Sequence, residues 1–410
     1  MTESEFLLKR IKKDNHQGFP LINFFHVMKE YWPLGQYMLR KFGWRSWYSF
    51  WTTKLFVPDE GGEYAIKDYL LYRFIPALLR SPIKIEIEHT TICDKKCLFC
   101  EHTYWKEEPT RVTFSKFRRI IDGIKSLQWI NITGEGSGFL NKDFMRMLKY
   151  LREKHINVNF VDEFDFFDEE ISRQVIKLGI NSIYVSFDGA TKETYERIKV
   201  GCDFHKALTN IRNFLKMKEE MSSPFPVLHF RFVVTKLNYM EMPDFVELIA
   251  SLDNRGVRAR VDFAGLLTFP GIEESHILLE EIPENIMTRT YKNALKYKIN
   301  LRLSHASSNL RSMNKCTAWT EPYILIGGDV ISCCAIVMSN RREFLRDNSF
   351  GNAYKSSFME IWRSKSYRTF RKLVNKKNGQ VPKTCFGCRA FSTEEREDAY
   401  GVWNDNRDVS

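Results

Sequence analysis

Three cysteines stand at offsets 0, 4 and 7 in "CDKKCLFC", residues 93–100. Three thiolates on one short loop can ligate a metal, yet a structural zinc site is closed by four ligands, most often two CxxC-like pairs. Cys93, Cys97 and Cys100 therefore either borrow a fourth ligand from elsewhere or keep one coordination position open for use. A second group lies in the C-terminal quarter: Cys316, the adjacent Cys333 and Cys334, and the pair Cys385 and Cys388 of "CFGC". Four thiolates from a hairpin and a distant CxxC can close round a full iron–sulfur cluster or make a zinc knuckle. Cys333 and Cys334 compete for one position. Cys202 stands alone in "VGCDFHKAL" and reads as a buried thiol or a hydrogen donor.

The elements that must hold these loops are legible in the periodicity. Short β-branched or aromatic runs occur at 83–88, 129–133, 158–161, 182–187, 228–234 and 258–263, separated by amphipathic segments with apolar residues three to four apart. Strand–helix alternation of this kind predicts parallel strands with helical crossovers. Six units predict an α/β fold, an open partial (β/α)6 TIM-like barrel. In barrels the functional loops follow the C-terminal ends of strands, and "CDKKCLFC" follows the first strand. Past residue 300 the alternation stops, and "YILIGGDVISCC" reads as a hairpin turning at Gly327-Gly328-Asp329. The expected organisation is an aromatic helical N-terminal extension over 1–80, the barrel over 81–300, a small cysteine-rich domain over 301–395 and a tail over 396–410.

The CxxxCxxC spacing, set after a first strand with Phe99 before the last cysteine, resembles the radical S-adenosylmethionine (SAM) family. That resemblance implies a [4Fe–4S] cluster on Cys93, Cys97 and Cys100, whose open iron chelates the amino and carboxyl groups of SAM. Electron transfer then splits the sulfonium to a 5′-deoxyadenosyl radical that takes a hydrogen atom from the substrate. "ITGEGSGFL" (132–140) is similar to the family's Gly-Gly-Glu-Pro-like turn, which places Thr133, Gly134 and Glu135 at the SAM amino group; the first glycine and the proline of that turn are replaced here. "YVSFDGATKETYERI" (184–198) is similar to its fourth-strand segment, which places Ser186 and Asp188 at the ribose hydroxyls, a role a carboxylate acceptor suits. The Thr-Asn-Gly turn common after the third strand is absent from "FVDEFDFFDEE", leaving Asp162 and Glu163 only as candidate substrate contacts. Arg231 and Asn238 are further candidates for the SAM carboxylate or the substrate.

The second cysteine group resembles the SPASM and twitch domains appended to many such enzymes, with Gly328 and Cys333 matching their glycine, four residues, cysteine element. No cysteine follows Cys388, so the shorter, twitch-like form is expected, with one auxiliary [4Fe–4S] cluster held by Cys316, Cys333 or Cys334, Cys385 and Cys388. The resemblance covers about residues 82–395. It implies an oxidoreductase-like enzyme fed by a flavodoxin- or ferredoxin-type electron donor, with the auxiliary cluster serving electron transfer. Oxidation or rearrangement of a small polar metabolite is expected, since residues 1–80 read as aromatic helices and not as a winged-helix leader-binding domain, with peptide maturation as the alternative.

Composition bounds the rest. The 410 residues are 43% hydrophobic, enough for a large core. The start, "MTESEFLLKRIKKD", lacks the apolar stretch of a signal peptide, so a reducing cytoplasmic setting is expected, in which nine cysteines are ligands or free thiols before they are disulfides. The net charge of +11 would suit an anionic partner, but the basic residues are scattered, and "RREFLRD" and "RSKSYRTFRKLVNKKN" read as amphipathic helices with solvated basic faces. Nucleic acid binding by a zinc-ribbon protein is the rival reading, and it leaves the three-cysteine loop unexplained. Trp44, Trp47 and Trp51 fall at helical spacing, predicting one aromatic face packed on the barrel; beside Arg40, Lys41 and Arg45, residues 31–57 would also suit a membrane surface or a protein partner.

Overall fold

The computed structural model describes residues 2–14, 20–56, 81–104, 107–252, 260–266, 269, 272, 275–279, 281–304, 320–337, 341–375 and 382–385. Two helices come first, α1 (Glu3–Asp14) and α2 (Pro20–Phe56). The alternating part then runs β1 (Lys84–Glu88), α3 (Glu101–Tyr104), α4 (Phe114–Gly123), β2 (Trp129–Thr133), α5 (Phe144–Glu153), β3 (Asn157–Asp162), α6 (Glu169–Leu178), β4 (Ser182–Ser186), α7 (Lys192–Ile198), α8 (Phe204–Glu220), β5 (Val227–Val234), α9 (Met242–Ala250), β6 (Arg260–Gly265), α10 (Glu284–Tyr297) and β7 (Asn300–Ser304). The C-terminal part adds β8 (Tyr323–Ile324), β9 (Val330–Ile331), α11 (Arg342–Asp347), α12 (Phe358–Arg363) and α13 (Lys365–Asn375).

Local chemistry starts and stops these helices where the sequence says it should. Asp168, Thr191 and Asp203 accept from the first-turn backbone of α6, α7 and α8, and Gly179 ends α6 in the left-handed region. Such side-chain caps satisfy donors that the helix itself cannot, worth about 1 kcal/mol each. Ser357 and Glu360 form a reciprocal capping box on α12.

One sheet runs β7-β6-β5-β4-β3-β2-β1-β8-β9 and does not close. Every pairing is parallel except β8 with β9. The six expected strands are present, and a seventh, β7, lies beside β6. It begins at residue 300, where the helical periodicity fades and one short run carries little signal. The hairpin is present too, with Gly328 at φ +90° in its turn, where a Cβ would stand 2.5 Å from the Tyr354 ring. Its first strand pairs with β1 through Glu86–Tyr323 and Ile87–Ile324, so the C-terminal region continues the barrel sheet.

Alternate residues of the strands divide between two environments. Ile85, Ile87, Ile130, Ile132, Val158 and Phe160 join the helices in the main apolar core. The other face carries a polar ladder, with Asn131 Nδ2 donating to Glu86 at 3.0 Å and Asn159 Nδ2 to Asn131 at 3.3 Å. Further round the same face, Arg231 donates to Asp262 at 3.1 Å and lies over the Tyr184 ring at 4.8 Å.

Helix α2 is broken at Gly43, whose φ of 78° and ψ of 176° are not helical. The two arms fold back on each other, bringing Trp32 to Trp51 (6.2 Å between ring centroids) and Tyr31 to Phe50 (6.4 Å). The pair caps the end of the barrel where strands begin: Ser49 donates to the Gln128 carbonyl, Asn157 to Ser49, and Ser46 meets His155. The expected tryptophan face holds only in part. Trp51 is buried and Trp47 half-buried, whereas Trp44, at the break itself, is exposed.

Candidate active site at the C-terminal ends of the strands

The cysteine loop leaves β1 and is held by backbone from a distant segment. Lys96 N–H donates to the Val200 carbonyl at 2.8 Å and Leu98 N–H to that of Ile198 at 2.9 Å. Thr103 and Tyr104 hydroxyls tie down the Cys97 and Leu98 carbonyls, both at 2.7 Å. Lys95 is buried against Asp165 at 2.7 Å. Cys93, Cys97 and Cys100 are thus displayed half-buried as free thiols. Burial pushes the Cys93 and Cys100 thiols up, Glu135 adding to the effect on Cys100. Cys202 is buried within reach of Cys97, and that contact, with burial, pushes its thiol up strongly. Phe99 packs with Leu98, Tyr104 and Phe269 in a small separate cluster.

The turn after β2 folds directly onto this loop. A Cβ at Gly136 would stand 2.5 Å from the Ile92 carbonyl, and one at Gly134 2.8 Å from that of Thr90, so both positions need the bare backbone. Glu135 is brought to Cys100, whose thiol lies 3.7 Å from its Oε2. Burial raises the Glu135 carboxyl to about 7, with the Arg342 guanidinium pulling it down and Glu88 pushing it up. Thr133 donates to Tyr323 across the β1 strand.

Arg342 and Glu88 are both buried, and Arg342 Nη1 donates to Glu88 Oε2 at 2.9 Å while Nη2 meets Oε1. Tyr323 hydroxyl and Ile326 N–H complete the Glu88 shell at 2.9 and 2.8 Å. The expectation of a solvated basic face on "RREFLRD" is corrected here: its first-turn arginine is turned inward, because a buried carboxylate needs a cation.

Ser186 and Asp188 lie together at the end of β4, with Ser186 Oγ donating to Asp188 at 3.1 Å. Asp188 is fully buried. Its carboxylate also accepts from Val233 N–H at 2.7 Å and faces Lys199 Nζ at 3.4 Å, which in turn donates to Ser186 at 2.8 Å. Burial lifts the Asp188 carboxyl, and Lys199 partly offsets this; burial disfavours the Lys199 charge, but Asp188 holds its pKa up. Asn238 knots the end of β5, donating to the Asp188 and Val233 carbonyls. After β3, Glu163 accepts from Ser137 at 2.7 Å, and Asp162 is buried with its carboxyl pushed up by desolvation and by Glu163.

In the C-terminal region Cys333 and Cys385 are buried in the main core, whereas Cys334 is exposed. Cys316 and Cys388 lie outside the described residues. Among the described residues no three metal-binding side chains close round a single ion. Thiols spread along a loop fit a cluster taking one thiolate per iron better than a tetrahedral ion, whose sulfurs at about 2.3 Å from the metal must crowd together. At Gly134 and Gly136 the turn packs backbone on backbone against Thr90 and Ile92, which sets Glu135 beside the Cys100 thiol.

Glu88, Lys199 and Arg342 were not singled out from the sequence. For Glu88 there was a signal, a charged residue in a strand of a parallel sheet, whose strands are ordinarily covered by helices. For the two cations there was none, since their partners are remote in the chain.

Comparison with known proteins agrees with this geometry. Residues 87–249 match the model of the radical SAM superfamily, and residues 316–389 match that of an iron–sulfur cluster-binding domain, SPASM. A tungsten-containing aldehyde ferredoxin oxidoreductase cofactor-modifying protein of Pyrococcus furiosus is 24% identical over 318 residues, 74% of this chain and 86% of that one. The mycofactocin maturase MftC of Mycobacterium ulcerans is 24% identical over 185 residues, 45% of this chain and 47% of the other. The crystal structure of Streptococcus suis SuiB bound to S-adenosylmethionine superposes with a TM-score of 0.56 at 15% identity, covering 72% of this chain and 68% of that one.

Proposed function

Because the chain belongs to the radical SAM superfamily and carries a SPASM iron–sulfur cluster-binding domain, we propose that it is a maturase that oxidises one residue of a peptide laid across the mouth of its barrel. The chain uses SAM, a [4Fe–4S] cluster and auxiliary iron–sulfur chemistry. When bound, these supply a carbon-centred radical that removes a substrate hydrogen atom and an outlet for the second electron. Cys93, Cys97 and Cys100 hold the SAM cluster, and Cys316, Cys333, Cys385 and Cys388 hold one auxiliary cluster. Thr133, Gly134 and Glu135 receive the SAM amino group. Ser186 and Asp188, steadied by Lys199, orient the ribose. A flavodoxin- or ferredoxin-type protein of the cytoplasm delivers the reducing electron.

The observation that carries the peptide reading is the rim. Val161, Val200 and Met240 are 39%, 43% and 63% exposed, and all three belong to the face that displays the cysteine loop: the end of β3, the segment bonded to Lys96, and the turn after β5. Exposed apolar side chains around a polar interior suit a substrate larger than the group it inserts. The relatives support the same reading, since MftC is a maturase and SuiB has been crystallised with its precursor peptide SuiA. Oxidation of a small polar metabolite is the second reading, favoured by the Arg231–Asp262 pair and Tyr184 inside the barrel.

The test is anaerobic reconstitution with iron and sulfide, then assay of 5′-deoxyadenosine from SAM under dithionite, with Cys93→Ala/Cys97→Ala/Cys100→Ala as control. Cell extract of the host is added in size fractions. Stimulation by a peptide-sized, protease-sensitive fraction is expected; stimulation by the small-molecule fraction that survives protease would overturn the peptide reading in favour of the second.

A further inference from the structure

Exposed large apolar side chains of the described residues divide unevenly. Besides Phe6 and the three at the mouth, all lie on α2: Trp44 at 65%, Tyr48 at 54%, Trp32 at 49% and Leu39 at 37%. Leu39, Trp44 and Tyr48 lie on the outer sides of the two arms and Trp32 edges the seam against Trp51, while Met38, Phe50 and Trp51 turn inward and pack with Phe225 of the barrel. Arg40, Lys41 and Arg45 are exposed among them, and the Arg45 guanidinium lies 5.7 Å from the Trp44 ring centre. From residue 31 to residue 56 the chain contains no aspartate or glutamate.

We propose that this outer face of α2 is a docking surface for an anionic lipid bilayer. Tryptophan and tyrosine are the side chains that settle at the level of lipid headgroups, with apolar ring and polar edge each satisfied. Cations interleaved with them, with no carboxylate in the same stretch of chain, complement phosphate-bearing headgroups. Binding is interfacial, not spanning, since no described helix is long and apolar enough to cross a membrane. The face lies at the end of the barrel where strands begin, so a docked molecule presents its cysteine loop and its mouth away from the lipid.

The experiment is co-sedimentation of the full-length, cluster-loaded protein with vesicles of phosphatidylcholine alone and of phosphatidylcholine mixed with phosphatidylglycerol, at low and high salt. Binding to the mixed vesicles only, weakened by salt, is expected. Arg40→Gln/Lys41→Gln/Arg45→Gln should lower partitioning by about a hundredfold, and Trp44→Ala/Tyr48→Ala by at least about tenfold. Both variants change exposed side chains, so far-UV circular dichroism and the rate of SAM cleavage should stay those of wild type. Equal binding to both vesicle types, variants that bind like wild type, or no binding at all would overturn the proposal. So would a dimer in sedimentation velocity that Trp44→Ala/Tyr48→Ala dissolves, which would assign the face to a second copy of the chain.

Discussion

The Arg342 guanidinium grips both oxygens of the Glu88 carboxylate across 254 residues of sequence, and neither group reaches solvent. The strand that feeds the cysteine loop is thereby fastened to the region that carries Cys333 and Cys334. Removing one partner of a buried pair leaves an uncompensated charge and costs about 3–5 kcal/mol, whereas removing both with apolar replacements costs far less. Arg342→Met should therefore lower the denaturant midpoint sharply, and Glu88→Leu/Arg342→Met should recover much of the loss. Additive losses in the double variant would show that the pair does not act as a unit.

Lys199 is expected to serve SAM binding through Ser186 and Asp188. Lys199→Met should weaken SAM binding in equilibrium dialysis by at least about tenfold, or roughly 1.4 kcal/mol, with the iron content of the protein unchanged. Lys199→Arg keeps the charge and should restore part of the affinity. Unaltered affinity in Lys199→Met would leave the lysine a purely structural partner of Asp188.

His89 supplies a pH dependence. Its ring stacks on Phe144 at 4.4 Å, and burial holds its pKa down from 6.5 to about 4. The folded chain thus keeps the imidazole neutral, while the unfolded chain takes up a proton near pH 6.5. The stability this provides is present above pH 6.5 and is lost as pH falls toward 4, by up to about 3 kcal/mol. Urea unfolding of wild type and His89→Phe should converge or cross over that interval, with wild type losing more. Parallel pH profiles would remove His89 as the cause.

Burial separates the two adjacent cysteines. Cys333 is inside the core and Cys334 outside, so Cys333→Ala should lose about four irons per chain and Cys334→Ala none. Iron loss in Cys334→Ala alone would reverse the ligand assignment.

How much was legible before folding depends on how local each signal is. The strands of the barrel, the helices between them and the turn at Gly328 are written in periodicities of two and of three to four residues and in turn chemistry, which neighbours in sequence decide. The spacing of Cys93, Cys97 and Cys100, and the order in which Glu135 and then Asp188 follow, are likewise properties of the chain itself. So is the absence of carboxylates from 31 to 56.

Other features came only with the tertiary structure. Trp44, Trp47 and Trp51 have helical spacing, but the break of α2 at Gly43 beside them depends on what the two arms can bury against the barrel. Lys199 and Arg342 look like any exposed basic residue of an amphipathic helix until the fold sets a buried carboxylate beside each. Pairing β8 with β1 joins two segments about 240 residues apart, a contact paid for by burial that no local pattern records. Which chemistry the thiols can support is written along the chain; which buried carboxylates around them find a cation follows from the fold, because compensation of buried charge is a matter of distance in space and not along the chain.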